Sequence, residues 1–112
     1  MLTGRLGWEN LRSINSTTFT GSFQAVGTPL LYPSYICKLV NNSNVLVTVS
    51  VDGTNAVDVA PANSFWLYDE GKGSPYVNQP ALSAGTQIYV SGAESESNTG
   101  SVYLVTQYII PN

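Results

Sequence analysis

The sequence contains no histidine, one cysteine (Cys37) and four basic residues in 112. Without histidine there is no Ser-His-Asp or Cys-His nucleophile pair and no histidine general base. A lone cysteine cannot close an intrachain disulfide, and with no histidine beside it cannot build a structural zinc site. The four cations, Arg5, Arg12, Lys38 and Lys72, stand against seven acids and leave a net charge of −3. That balance argues against a nucleic-acid partner, which needs a basic face. The stretches around Thr54 and Gly71-Lys72-Gly73 lack the spacing of a phosphate-binding loop. These absences point away from an enzyme and from any cofactor or metal.

Long apolar runs are missing too. The start, Met1 to Trp8, has no apolar core of about 7–15 residues, so no signal peptide is expected. Nothing approaches the roughly 20 residues of a membrane helix, so no membrane partner is expected. Asn15-Ser16-Thr17 and Asn41-Asn42-Ser43 match the glycosylation pattern as chance matches in an Asn/Ser-rich chain. The length suits a single domain that buries its own core.

What the chain does have is strand signal. Val45, Val47, Val49 and Val51 alternate with Leu46, Thr48 and Ser50, the period of two of a strand with one buried face. Asp52-Gly53 reads as a turn needing positive φ, followed by a short return strand, Ala56 to Val59, stopped at Pro61. Phe65 to Tyr68 is apolar on both faces and leads into a polar loop, Asp69 to Pro75. In Thr86 to Ser91, Ile88 and Val90 face inward, and Gly92 to Gly100 reads as a solvated hairpin loop. Ser101 to Ile110 is the longest strand, apolar on both faces and therefore central or covered. Thr17 to Val26 and Tyr35 to Val40 are two further candidates, the second with Ile36 assigned to the inward face in spite of Lys38. Only Trp8 to Ile14 could form a turn of helix. Six to eight short strands at this spacing predict an all-β sandwich or small barrel.

The residues that could carry chemistry have plainer uses. Asp52, Asp58, Asp69 and Glu70 could serve a paired-carboxylate hydrolase or a calcium site, but Asp52 and Asp69 sit where turns need them. Cys37 lies in a strand pattern with no activating neighbour and reads as a small buried hydrophobe. The tyrosines and tryptophans, Tyr32, Tyr35, Trp66, Tyr68, Tyr76, Tyr89, Tyr103 and Tyr108 among them, could form a sugar-binding platform. Their spread over several strands favours core and interface packing instead.

Residues 1–15 stand apart from 16–112. They hold Leu2, Leu6, Trp8, Leu11 and Ile14 with no strand alternation, which predicts an extended arm that docks on a partner. On that reading, removing residues 1–14 leaves a folded domain. Charged residues make up 10 % of the chain, against about 25 % in an ordinary domain. Interfaces lose charge and gain aromatics, so this composition predicts a surface covered by neighbours or by copies of itself.

The run Val49 to Asp69, with Ser50-Val51-Asp52-Gly53, Pro61-Ala62-Asn63-Ser64 and Leu67-Tyr68-Asp69, resembles small virion structural proteins of tailed bacteriophages. Phe23-Gln24-Ala25-Val26-Gly27-Thr28-Pro29-Leu30, Val40-Asn41-Asn42, Gly85 to Val90 and Gly100 to Tyr103 fit the same pattern, so the resemblance spans Thr20 to Tyr108. It implies a jelly-roll-like β-sandwich on the capsid surface of a virion, made in the host cytoplasm. The implied role is decoration, or cement, clamping the major capsid protein as a homo-oligomer. Trp8, Arg12, Tyr32 and Trp66 are the expected partner-face residues. A head–tail or tail component, and a carbohydrate-binding module, are the alternatives.

Overall fold

The computed structural model describes residues 4–69 and 82–111. Among these are nine strands: β1 (Gly4–Trp8), β2 (Arg12–Asn15), β3 (Gln24–Ala25), β4 (Ile36–Ser43), β5 (Val47–Ser50), β6 (Ala56–Ala60), β7 (Ser64–Asp69), β8 (Tyr89–Gly92) and β9 (Gly100–Pro111). A single 3-10 turn, Ser16–Thr18, follows β2 and is capped by the Asn15 side chain, which accepts from the Thr17 amide.

All pairings are antiparallel. One sheet runs β1-β9-β4-β7, with β2 also on β9, and the other runs β3-β8-β5-β6. β1 and β2 lie end to end on one edge of β9, β1 against Gln107–Pro111 and β2 against Ser101–Leu104. Taken as one interrupted strand, they pair with the last strand, β3 pairs with β8, β4 with β7 and β5 with β6. This is an antiparallel ribbon folded at the β5–β6 turn and rolled until β9 meets β4 and β8 meets β5. The fold is thus an all-β sandwich with jelly-roll strand order.

The period of two decides what is inside. Val47, Val49 and Val90 from one sheet meet Cys37, Leu39, Val102 and Leu104 from the other, all buried, with Phe19, Val26 and Ile88 closing the gaps. Burying one such aliphatic side chain stabilises by about 1.5–3 kcal/mol. Two glycines are set by contact. A Cβ on Gly92 would stand 2.4 Å from the Phe19 ring, and one on Gly100, at φ +86, would stand 2.1 Å from the Asn42 carbonyl oxygen. Asn41, fully buried, ties the end of the sandwich together. Its amide donates to the carbonyls of Val45, Ala60 and Pro61 at 2.8, 2.9 and 3.1 Å, and its oxygen accepts from the Ser43 amide.

Several expectations need correction. The alternation of Leu6 and Trp8 with Arg5 and Gly7 is strand pattern, and the described part of residues 1–15 is sheet, not a separate arm or a turn of helix. Removing residues 1–14 would strip an edge from β9. Thr17 to Val26 contributes only the two residues of β3, because the 3-10 turn and Gly21, at φ +85, break the extended chain. In β4 the faces are reversed: Cys37, Leu39, Asn41 and Ser43 are buried, while Lys38 is exposed and Ile36 and Val40 are half-buried. Residues 93–99 join strands of different sheets, so this loop crosses the sandwich and closes no hairpin. The loop after Asp69, with Lys72 and Tyr76, lies outside the described residues.

Candidate interaction face

Because β4 turns Cys37 and Leu39 inward, its other side chains build the outer surface of the larger sheet. Residues directly opposite in antiparallel strands share a face. The register sets Ser13, Tyr103, Val40 and Phe65 side by side, then Val105, Lys38 and Leu67, then Trp8, Gln107 and Ile36. Leu6 extends the same face along β1, two residues from Trp8.

This surface is apolar and open. Phe65 is 64 % exposed, Trp8 63 %, Leu6 55 % and Leu67 49 %, and Ile36, Val40, Tyr103 and Val105 are half-buried around them. A shallow groove of about 450 Å³ lies along it, lined by Lys38, Val40, Asn42, Asn63, Ser64 and Phe65. Asn63 shapes the groove's end: it takes φ 58, and its amide donates to the Ser43 carbonyl at 3.3 Å. Ser64 donates to the Pro61 carbonyl at 2.6 Å, which fixes the entry to β7. Among the described side chains Lys38 is the face's only charge, and no ion pair is formed with it. Contiguous apolar surface of this extent is uncommon on a face left open to water.

The expected partner residues separate. Trp8 is on this face. Trp66 alternates to the other side of β7, where with Tyr68 it packs against the core, so the two rings form no outer platform for a sugar. Tyr32 is 46 % exposed but lies on the inner side of the β1–β9 ribbon, stacked on Tyr108 with ring centroids 4.1 Å apart. Gly7 permits this: a Cβ there would meet the Tyr108 ring at 2.5 Å.

Arg12 is buried and its guanidinium is used internally. It donates to Glu9 Oε1 at 2.7 Å, to the Thr28 and Pro29 carbonyls at 2.7 and 3.0 Å, and to Thr106 Oγ1 at 3.4 Å. The Glu9 carboxylate accepts the Leu31 and Tyr32 amides at 3.1 Å each. Burial pushes the Glu9 carboxyl up, but Arg12 and the two amides outweigh it and hold it below the usual carboxylate range. This pair fastens the connection between β3 and β4 to the break between β1 and β2.

The other candidate groups serve the fold. Asp52 accepts the Thr54 and Asn55 amides at 2.8 Å each and closes the β5–β6 turn, which holds its carboxyl well below the usual range. Burial pushes the Cys37 thiol up to about 12. Among the described residues no group of three or more His, Cys, Asp or Glu side chains could hold a metal ion.

Phe65, Leu67, Lys38, Val40 and Val105 are the residues that sequence reasoning left off the face. One signal could have found them. Lysine is almost never fully buried, so Lys38 facing outward puts Cys37 and Leu39 inside and fixes the parity of β4. The chain matches no family model, no curated protein and no solved structure.

Proposed function

We propose that this protein is a structural subunit of a bacteriophage virion, most concretely a decoration or cement protein, that docks on the shell through the outer face of its larger sheet. The observation that carries the docking is the contiguous apolar surface of Leu6, Trp8, Phe65 and Leu67, open to solvent in the isolated chain. The resemblance of Val49 to Asp69 to virion structural proteins supports the particle as the place where that surface is covered. A jelly roll suits the role, since the packing of its two sheets against each other holds the outer face of one of them rigid. Many copies on a symmetric shell would gain stability from modest individual contacts through avidity.

Co-sedimentation with heads assembled without this protein tests the reading. The wild-type chain pellets with the heads, and a Phe65→Asp/Leu67→Asp variant, still folded by circular dichroism, stays in solution. Equal pelleting of the two would contradict docking through this face, and no pelleting of the wild type would contradict the shell as its partner.

A further inference from the structure

The apolar face contains a feature that apolar docking alone would penalise. Lys38 is exposed at its centre, between Val105 of β9 and Leu67 of β7. Val40 and Ile36 flank it on its own strand, and Asn42 and Asn63 line the groove beside it. Both amides are neutral: their oxygens can accept a hydrogen bond from the ammonium, but neither supplies a countercharge. Covering this face with a purely apolar surface would strip water from the charge with no countercharge to replace it, a cost of several kcal/mol. A surface that carries a carboxylate over Lys38 instead turns the charge into a contact that fixes register.

We infer that the occupant of this face is a different protein chain whose apolar docking surface presents an Asp or Glu side chain to Lys38 in the groove beside Phe65. The inference rests on the docking role proposed above and names the chemistry of the partner. A second copy placed face to face with its two-fold axis through Lys38 would set Lys38 against Lys38, so an isologous dimer centred on this residue is disfavoured. The chain's own described carboxylates are elsewhere. Glu9 is held by Arg12, Asp52 is in the β5–β6 turn, Asp58 is on β6 of the other sheet, and Glu94 and Glu96 are in the loop before β9. Asp69 ends β7 opposite Ile36, at the face's margin.

The test measures binding to heads assembled without this protein, at two salt concentrations, for the wild type and four folded variants. Lys38→Glu should weaken binding at least 30-fold and Lys38→Met about 10-fold, because each leaves the partner's carboxylate unmatched. The salt dependence of the wild type should diminish in Lys38→Met. Asp69→Asn should bind at least as well as wild type, and Phe65→Ser should bind weakly.

Wild-type binding by both Lys38 variants, with Phe65→Ser weakened, would overturn the carboxylate inference and leave the docking face standing. Loss in Asp69→Asn equal to that in Lys38→Met would make Asp69 the counter-ion and overturn it as well. Head-to-tail self-association of the wild type, abolished by Lys38→Glu, would make the occupant a second copy and overturn the assignment to a different chain. Unchanged binding in every variant would remove the docking face itself.

Discussion

Glu9 and Arg12 flank the break between β1 and β2, and their side chains meet at 2.7 Å with 2 % and 6 % of their surfaces exposed. Through them the edge of the larger sheet holds the Thr28–Tyr32 stretch by two carbonyls and two amides. Tyr32 is thereby set on Tyr108, and the terminal ribbon, which extends past the start of β4, gains a second layer. An isolated two-stranded ribbon is marginal in water, so this pair is what keeps β1, and with it Trp8, in place.

Removing one partner should therefore be costly. Arg12→Met strands the Glu9 carboxylate and two carbonyls, and should lower the free energy of unfolding by about 3–5 kcal/mol. Chemical denaturation measures it. A loss below about 1 kcal/mol, the range of an exposed pair, would show that the ion pair contributes little.

The same pair predicts an acid limb. The Glu9 carboxyl titrates below its usual value in the folded chain, so the unfolded chain binds its proton first as pH falls. Its contribution is complete above the ordinary glutamate value of about 4.3 and is lost as pH falls through the lower folded value. Asp52 is shifted in the same direction and contributes to the same limb. Unfolding curves from pH 7 to 3 should show the wild type losing more stability than Glu9→Gln. Parallel curves would contradict the assignment.

Asn41 offers a charge-sensitive test inside the core. Asn41→Ala leaves the carbonyls of Val45, Ala60 and Pro61 without their shared donor and should cost about 2–4 kcal/mol. Asn41→Asp keeps the shape but points a carboxylate at three carbonyl oxygens, and should cost more than alanine at pH 7. Thermal unfolding of the two variants decides it, and a milder effect from aspartate would contradict the bonding assigned to Asn41.

What the sequence revealed depended on how local the cause was. Val47 and Val49 are buried where the valine alternation places them, Gly53 takes the positive φ expected of the turn, and the return strand, expected over Ala56 to Val59, runs Ala56–Ala60. Val51 breaks the pattern: a register shift after Val49 ends the ladder, and its side chain is exposed. β9 was legible as central because it is apolar on both faces. Residues 4–15 were not legible. Their strands are short, broken at Glu9 to Leu11, and held by a β9 that begins some 85 residues later. The face of β4 failed for a different reason. Ile36, Lys38 and Val40 look no less apolar in sum than Cys37, Leu39 and Asn41, so summed hydropathy does not choose a face; the cost of burying Lys38 and the hydrogen bonds that satisfy Asn41 inside make the latter set the inner one. Trp66 and Phe65 show the same limit. Adjacent aromatics in a strand must point oppositely, and nothing local says which is covered by the core.

The docking of the larger sheet's outer face on a shell is the central claim, and a cryo-EM reconstruction of the virion tests it most directly. The account predicts density for this jelly roll repeated over the capsid surface, with Trp8, Phe65 and Leu67 against the underlying subunits and the β5–β6 turn in solvent. Density confined to the tail or to one vertex, or a decorating copy that turns Phe65 and Leu67 outward, would contradict it.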